Sequence, residues 1–155
     1  MTIVVKDRKC VFGDVMKSRM VHSYLGKKVD LFWNAIPDHH KGVDLDEYVI
    51  MPNHLHGIII IHGNRDVFRR DVPLNVSRFS AISPKKGSLS VIVRTFKGAV
   101  RRWALSNGHP EFEWQERFYD HIIRNDRDLH RIRIYIANNP MKWALDRENP
   151  FGGRP

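Results

Sequence analysis

His54 and His56, one residue apart, are the side chains whose types and spacing best suit chemistry. On a strand, positions i and i+2 share a face, so both imidazoles project together while Leu55 points into the opposite layer. Two side-by-side imidazoles make half of a metal site. A His-x-His alone does not separate a ligand pair from two ordinary strand histidines. Tyr135 and Asn139 form a second constellation: at i and i+4 they stack on one helix face, with Arg131 one turn earlier on the same side. A tyrosine oxygen is a poor nucleophile at its usual pKa near ~10, so it needs a metal-polarised target or a nearby base. The amide oxygen of Asn139 is a reasonable hard ligand for Mg²⁺ or Mn²⁺. The same spacing also fits a Tyr135 packed at the core edge and an Asn139 that caps the helix before Pro140.

Other catalytic signatures are missing. The sequence has no His-Glu-x-x-His, no Gly-x-x-x-x-Gly-Lys and no Gly-x-Ser-x-Gly. His39 and His40 are adjacent and cannot share one face, so they read as surface residues. The single cysteine, Cys10, excludes an internal disulfide framework and a four-cysteine zinc site, and fits a reducing cytosol.

Charge points to the class of partner. Twenty-six Lys and Arg against seventeen Asp and Glu leave a net +9 on 155 residues, the size of one domain. Such an excess costs self-repulsion that a polyanion offsets, so nucleic acid is the favoured partner. The longest apolar run, residues 57–61, is far short of the roughly 20 residues of a membrane span. Lys6, Arg8 and Lys9 interrupt any leader-like stretch, so a cytoplasmic, nucleoid-associated protein without a membrane partner is expected.

The elements that must position these residues follow from periodicity. A strand is expected over 2–5 and a helix over 27–36, with Val29, Phe32, Trp33 and Ile36 at helical spacing and Pro37 ending it. Strands over 45–51 and 54–61, joined through Pro52-Asn53, should pair antiparallel. Residues 63–87 lack periodicity and carry Arg65, Arg69, Arg70, Arg78, Lys85 and Lys86, a long basic loop. A helix over 88–105 carries the apolar stripe Leu89, Ile92, Val93, Phe96, Val100 and Trp103. Its other face shows Arg94, Lys97, Arg101 and Arg102 with no acid between Ser88 and Gly108, which favours phosphate contact over solvation. A strand over 114–123 and a final helix capped by Asn125 or Asp126 complete the pattern, with Leu129, Ile132 and Ile136 facing the core. Residues 1–149 read as one domain and 150–155 as a loose tail. The order suggests an α+β sandwich with helices mainly on one face of an antiparallel sheet.

Four segments, in order, resemble the REP-associated tyrosine transposases, bacterial relatives of the single-tyrosine HUH transposases. Tyr48-Val49-Ile50-Met51-Pro52-Asn53-His54-Leu55-His56-Gly57-Ile58-Ile59 is similar to the family's HUH segment. Residues 88–103, with Phe96-Lys97 at the centre, resemble its basic helix, and residues 114–124 its next strand. Ile134-Tyr135-Ile136-Ala137-Asn138-Asn139-Pro140 with Lys142-Trp143 resembles its tyrosine helix. The resemblance implies a ferredoxin-like sandwich with the histidine pair on a central strand. It also implies metal-dependent cleavage and joining of single-stranded DNA at a hairpin, through a covalent 5′-phosphotyrosine. Carried over by position, His54 and His56 hold the divalent metal, Mg²⁺ or Mn²⁺, and Tyr135 is the nucleophile. Asn139 stands where relatives carry a polar third ligand. Arg94, Lys97, Arg101, Arg102 and Arg131, with the 63–87 loop, would hold the DNA backbone, and a homodimer is one expected state.

Residues 2–13 match the family from midway along its first strand, a departure expected to affect substrate recognition more than chemistry. Two alternatives stay open on sequence alone. One is a hairpin-binding remnant that no longer cuts. The other is a small metal-dependent hydrolase that uses water in place of tyrosine.

Overall fold

The computed structural model describes residues 1–62 and 87–152. The expected 63–87 loop and the end of the 150–155 tail therefore lie almost wholly outside the described residues. The central element is a three-stranded antiparallel sheet in which β5 (His54–Ile61) lies between β1 (Thr2–Val4) and β4 (Val43–Ile50). The register sets Val4 opposite His54 and Thr2 opposite His56 on one side, and Ile50 opposite Leu55 and Tyr48 opposite Gly57 on the other. The Pro52-Asn53 connection gives the antiparallel pair expected from the sequence.

The 114–123 segment is not the regular strand its composition suggested. It runs beside β1 and touches it through two bridges, Val5 with Trp114 and Thr2 with Tyr119. Five steps of chain from Trp114 to Tyr119 thus face three from Thr2 to Val5, and the surplus opens the ladder as a bulge does. The bulged carbonyls of Gln115 and Glu116 accept hydrogen bonds from the Lys97 ammonium rather than from a neighbouring strand. A hairpin of β2 (Gly13–Met16) and β3 (Arg19–His22) was not expected from the sequence. Its two-residue turn holds Lys17 and Ser18 at φ 49° and 61°, a left-handed pair that an Asn-Gly would have signalled and Lys-Ser does not.

The first helix, α1 (Tyr24–Asn34), starts earlier than the apolar spacing indicated because Ser23 caps it. The Ser23 hydroxyl accepts from the Gly26 amide at 3.0 Å and donates to the Val11 carbonyl at 2.7 Å. Pro37 does not simply end that helix. It sits in the first turn of a short α2 (Ile36–His39), where a missing N–H costs nothing. The basic helix, α3 (Leu89–Ser106), buries Ile92, Val93, Phe96, Val100 and Ala104. Finally α4 (Asp126–Ala137), capped by Asn125 accepting from the Asp128 amide, leads into a 3₁₀ turn over Pro140–Leu145.

Alternation along β5 divides these helices. Leu55 and Gly57 face α1 and α3, where Trp33 packs edge-on against Phe96 and both are buried. Gly57 is required there: a Cβ on it would sit 2.4 Å from Trp33 Cζ2. Among the described helices, only α4 lies on the opposite face, toward which His54 and His56 point. An irregularity in β4 between Leu45 and Tyr48 aids this split, because Asp46 meets α4 through Arg133 while Tyr48 donates to Asp30 of α1. The result is the expected α+β sandwich with helices mainly on one face. Of α4's apolar residues, Ile136 is buried, whereas Leu129 and Ile132 are half-buried. No described helix is long and apolar enough to cross a membrane.

Candidate active site

The edge of β5 that faces α4 begins with two buried imidazoles. His54 is wholly buried and His56 is 8% exposed, and their Nε2 atoms lie 3.1 Å apart. Each ring is held from behind: His54 Nδ1 lies 2.8 Å from Asn53 Oδ1, and His56 Nδ1 lies 2.7 Å from Thr2 Oγ1. Leu55, between them, is fully buried in the apolar core on the other side. The alternation read from the sequence therefore holds at this strand.

From α4 the Tyr135 hydroxyl reaches to 3.4 Å from His56 Nε2, with the two rings edge to face at 5.3 Å. Tyr135 remains 49% exposed and lines a cavity with His56. Asn139, one turn on, is buried, and its Oδ1 has no hydrogen-bond partner among the described residues. The reading of Asn139 as a helix cap does not describe it: the residue makes no side-chain cap bond. These groups surround a cavity of about 520 Å³, lined also by Thr2, Lys142, Asp146 and Glu148.

Asp146 carried no signal in the sequence. It follows the 3₁₀ turn, and its Oδ2 lies 3.9 Å from His54 Nε2. One ligand atom from each of His54, His56 and Asp146 falls within 4.8 Å of the others. No spacing rule marks it, since it comes near the histidines only because the chain turns back after Pro140. Two imidazole nitrogens, a carboxylate and an unpartnered amide oxygen are a donor set suited to a divalent cation.

Electrostatics keep the pair in the ligating form. Burial lowers each histidine to a pKa of about 3, and for His56 the neighbouring His54 lowers it further while Asp146 opposes this. Both rings are therefore neutral near pH 7, with lone pairs available. Burial pushes the Tyr135 hydroxyl above its ordinary value, and the negative charge of Asp146 adds to this, while the Asn139 side chain acts in the opposite direction. A tyrosine so placed needs positive charge nearby before it attacks anything.

The basic residues named from the sequence are in different situations. Arg94 and Arg102 are exposed on α3 and form no ion pair among the described residues. The Lys97 ammonium is held by two backbone carbonyls, and burial lowers its pKa. Arg101 shares Glu113 with Lys6. Arg131, on α4, pairs with Asp128 at 2.6 Å. Glu113, the acid that meets Arg101, comes from the segment beyond α3, outside the acid-free stretch from Ser88 to Gly108.

No protein-family model matches the chain. A Haemophilus influenzae protein of uncharacterized function is 38% identical over 149 residues, covering 94% of this chain and 81% of that protein. A second protein of the same organism, provisionally named a REP-associated tyrosine transposase, is 27% identical over 143 residues, 91% of this chain and 68% of its own length. Among solved structures, a REP-associated tyrosine transposase bound to a REP hairpin superposes with a TM-score of 0.58. The chain is similar to the REP-associated tyrosine transposases in fold and, more weakly, in sequence. That solved structure is 18% identical and matches 91% of this chain, which spans 64% of the other; at that identity it speaks for the shared fold.

Proposed function

We propose that the chain is a metal-dependent single-stranded DNA endonuclease and strand transferase that acts at hairpin DNA through a 5′-phosphotyrosine on Tyr135. The observation that carries this reading is the approach of the Tyr135 hydroxyl to His56, itself paired with His54, beside a cavity open to solvent. The reading takes residues 1–149 as one domain. His54 and His56, with Asn139 and Asp146, would hold Mg²⁺ or Mn²⁺, and such an ion supplies positive charge beside a scissile phosphate.

The chain's own residues account for the rest. Tyr135 Oη bonds to phosphorus as the P–O3′ bond breaks; the phenolic proton leaves to solvent through the open side of the cavity, and the departing 3′ oxygen takes a proton in turn. The tyrosyl diester keeps the bond energy, so a 3′-hydroxyl attacking that phosphorus restores the DNA and the phenol without a nucleotide cofactor. Thr2 and Asn53 hold the imidazoles while α4 carries the nucleophile. The exposed Arg94 and Arg102 would meet the DNA backbone, with Lys97 and Arg101 beside them on α3 and Arg131 contributing from α4. The solved relative is bound to a REP hairpin, so hairpins of that kind are the substrate class to try first.

The test mixes the protein with end-labelled hairpin DNA and Mn²⁺ and runs a denaturing gel. A labelled band migrating with the protein, absent with chelator and absent in Tyr135→Phe, is the expected result. DNA shifted on a native gel but never cut or bound covalently would replace this reading with a hairpin-binding remnant. Cleavage that survives Tyr135→Phe would replace it with a water-using hydrolase.

A further inference from the structure

We infer that Asn53 fixes the proton position on His54, and that Thr2 holds His56 while permitting its proton to change nitrogen, making both positioning residues for the pair. The metal-ligand part of this rests on the function proposed above. The assignment at His54 needs no metal. The Asn53 side chain is fully buried, and its Nδ2 lies 2.9 Å from the Arg8 carbonyl and 2.7 Å from the Glu148 carbonyl. Carbonyl oxygens only accept, so the amide nitrogen must face both of them and use both its protons. Its oxygen is then the atom 2.8 Å from His54 Nδ1. An amide oxygen also only accepts, so His54 carries its proton on Nδ1 and leaves the Nε2 lone pair toward His56.

The two carbonyls that orient Asn53 are themselves pinned. Asp7 and Arg8 adopt φ of 56° and 53°, a left-handed conformation that non-glycine residues seldom take in succession. Arg8 Nε then donates to Glu148 Oε2 at 2.8 Å, tying the two carbonyl-bearing residues to each other. Sequence positions 8, 53 and 148 thus form one clamp behind His54.

At His56 the partner is a hydroxyl, which both donates and accepts. Thr2 lies directly across from His56 in the β1–β5 register, with Oγ1 2.7 Å from Nδ1. Because His54 Nε2 has no proton, the 3.1 Å contact between the Nε2 atoms takes its proton from His56, whose Nδ1 accepts from Thr2. For both Nε2 lone pairs to face one cation, that proton must leave Nε2 and a proton must be placed on Nδ1. The Thr2 hydroxyl then rotates to accept it. His56 stays neutral throughout, and the exchange releases no net proton. Such outer partners, which fix ring orientation and tautomer, typically matter roughly 10–100-fold in metal affinity.

Long-range proton–nitrogen NMR of the imidazoles in the ¹⁵N-labelled full chain reads the tautomers directly. With chelator present, His54 is expected protonated on Nδ1 and His56 on Nε2; with Zn²⁺ as a diamagnetic probe, both are expected on Nδ1. His54 protonated on Nε2 in the chelated protein would overturn the role of Asn53. Thr2→Val should shift the His56 Nδ1 resonance in the chelated protein and weaken Zn²⁺ binding by roughly tenfold or more, and Thr2→Ser should restore both. A His56 Nδ1 signal identical in the valine variant and the native chain would overturn the role of Thr2. If Zn²⁺ leaves both rings unchanged, the metal reading fails, while the chelated spectra still decide the tautomers.

Discussion

Along β5, Leu55 and Gly57 turn to Trp33 and the apolar core, while His54 and His56 turn to the α4 side, where His56 lines a cavity. Both faces are buried, yet they are held together differently. The core face depends on shape: an indole fills the space that Gly57 leaves, and little is directional. The α4 face depends on directional partners, with Asn53 and Thr2 each meeting an imidazole nitrogen and Asp146 3.9 Å from His54 Nε2. The comparison teaches that a volume change should break the first face and a lost donor or ligand the second, with little crossing over.

The largest effect expected is on chemistry alone. Tyr135→Phe removes one hydroxyl from a half-exposed side chain, so stability should hardly change while covalent capture of hairpin DNA falls by roughly 10³-fold or more, on the scale of other nucleophile deletions. Next come the proposed cation ligands. Asn139→Ala and Asp146→Ala should each raise the Mn²⁺ concentration needed for half-maximal cleavage, by roughly 10–100-fold, and a titration of cleavage against Mn²⁺ measures it. If only one of the two does so, that residue is the third ligand and the other merely lines the cavity.

Gly57→Ala addresses the other face. The added methyl overlaps the buried Trp33 ring, which should cost about 1–3 kcal/mol in chemical denaturation while the folded fraction still binds metal normally. A loss of metal affinity without loss of stability would show that the faces are coupled. The smallest effect concerns the tether of α4 to β4, where Arg133 lowers the Asp46 carboxyl below its usual range by hydrogen bonding. A carboxyl with a depressed folded pKa stabilises above the unfolded pKa and loses that contribution as pH falls through the folded one. Asp46→Asn should therefore cost a little stability at pH 7, and thermal melts should show the difference shrinking as pH falls from about 4 and vanishing only below the depressed folded pKa.

How far the sequence foretold this arrangement depends on how local each signal is. The period of two in residues 54–57 settles which side chains share a face, and the i,i+4 spacing settles that Tyr135 and Asn139 travel together. The structure brings His56, Tyr135 and Asn139 to one cavity, with His54 buried against His56. Asp146 gave no such signal, because its approach depends on a chain reversal after Pro140 and on contacts far apart in sequence. Asn53 was visible only as turn chemistry; its buried role requires Arg8 and Glu148, at the two ends of the chain. The β2–β3 hairpin escaped because Lys17-Ser18 takes a conformation usually announced by Asn-Gly. The 114–119 segment had strand composition but its surplus residues and the Lys97 bonds keep it from a regular ladder.

The most direct measurement is to find where the DNA attaches. The protein is incubated with hairpin DNA and Mn²⁺, digested with nuclease and trypsin, and the peptides are weighed by mass spectrometry. A nucleotide phosphate on the peptide spanning residues 134–142, localised to Tyr135, is the predicted result. A modified residue elsewhere, or cut DNA with no modified peptide at all, would contradict the account.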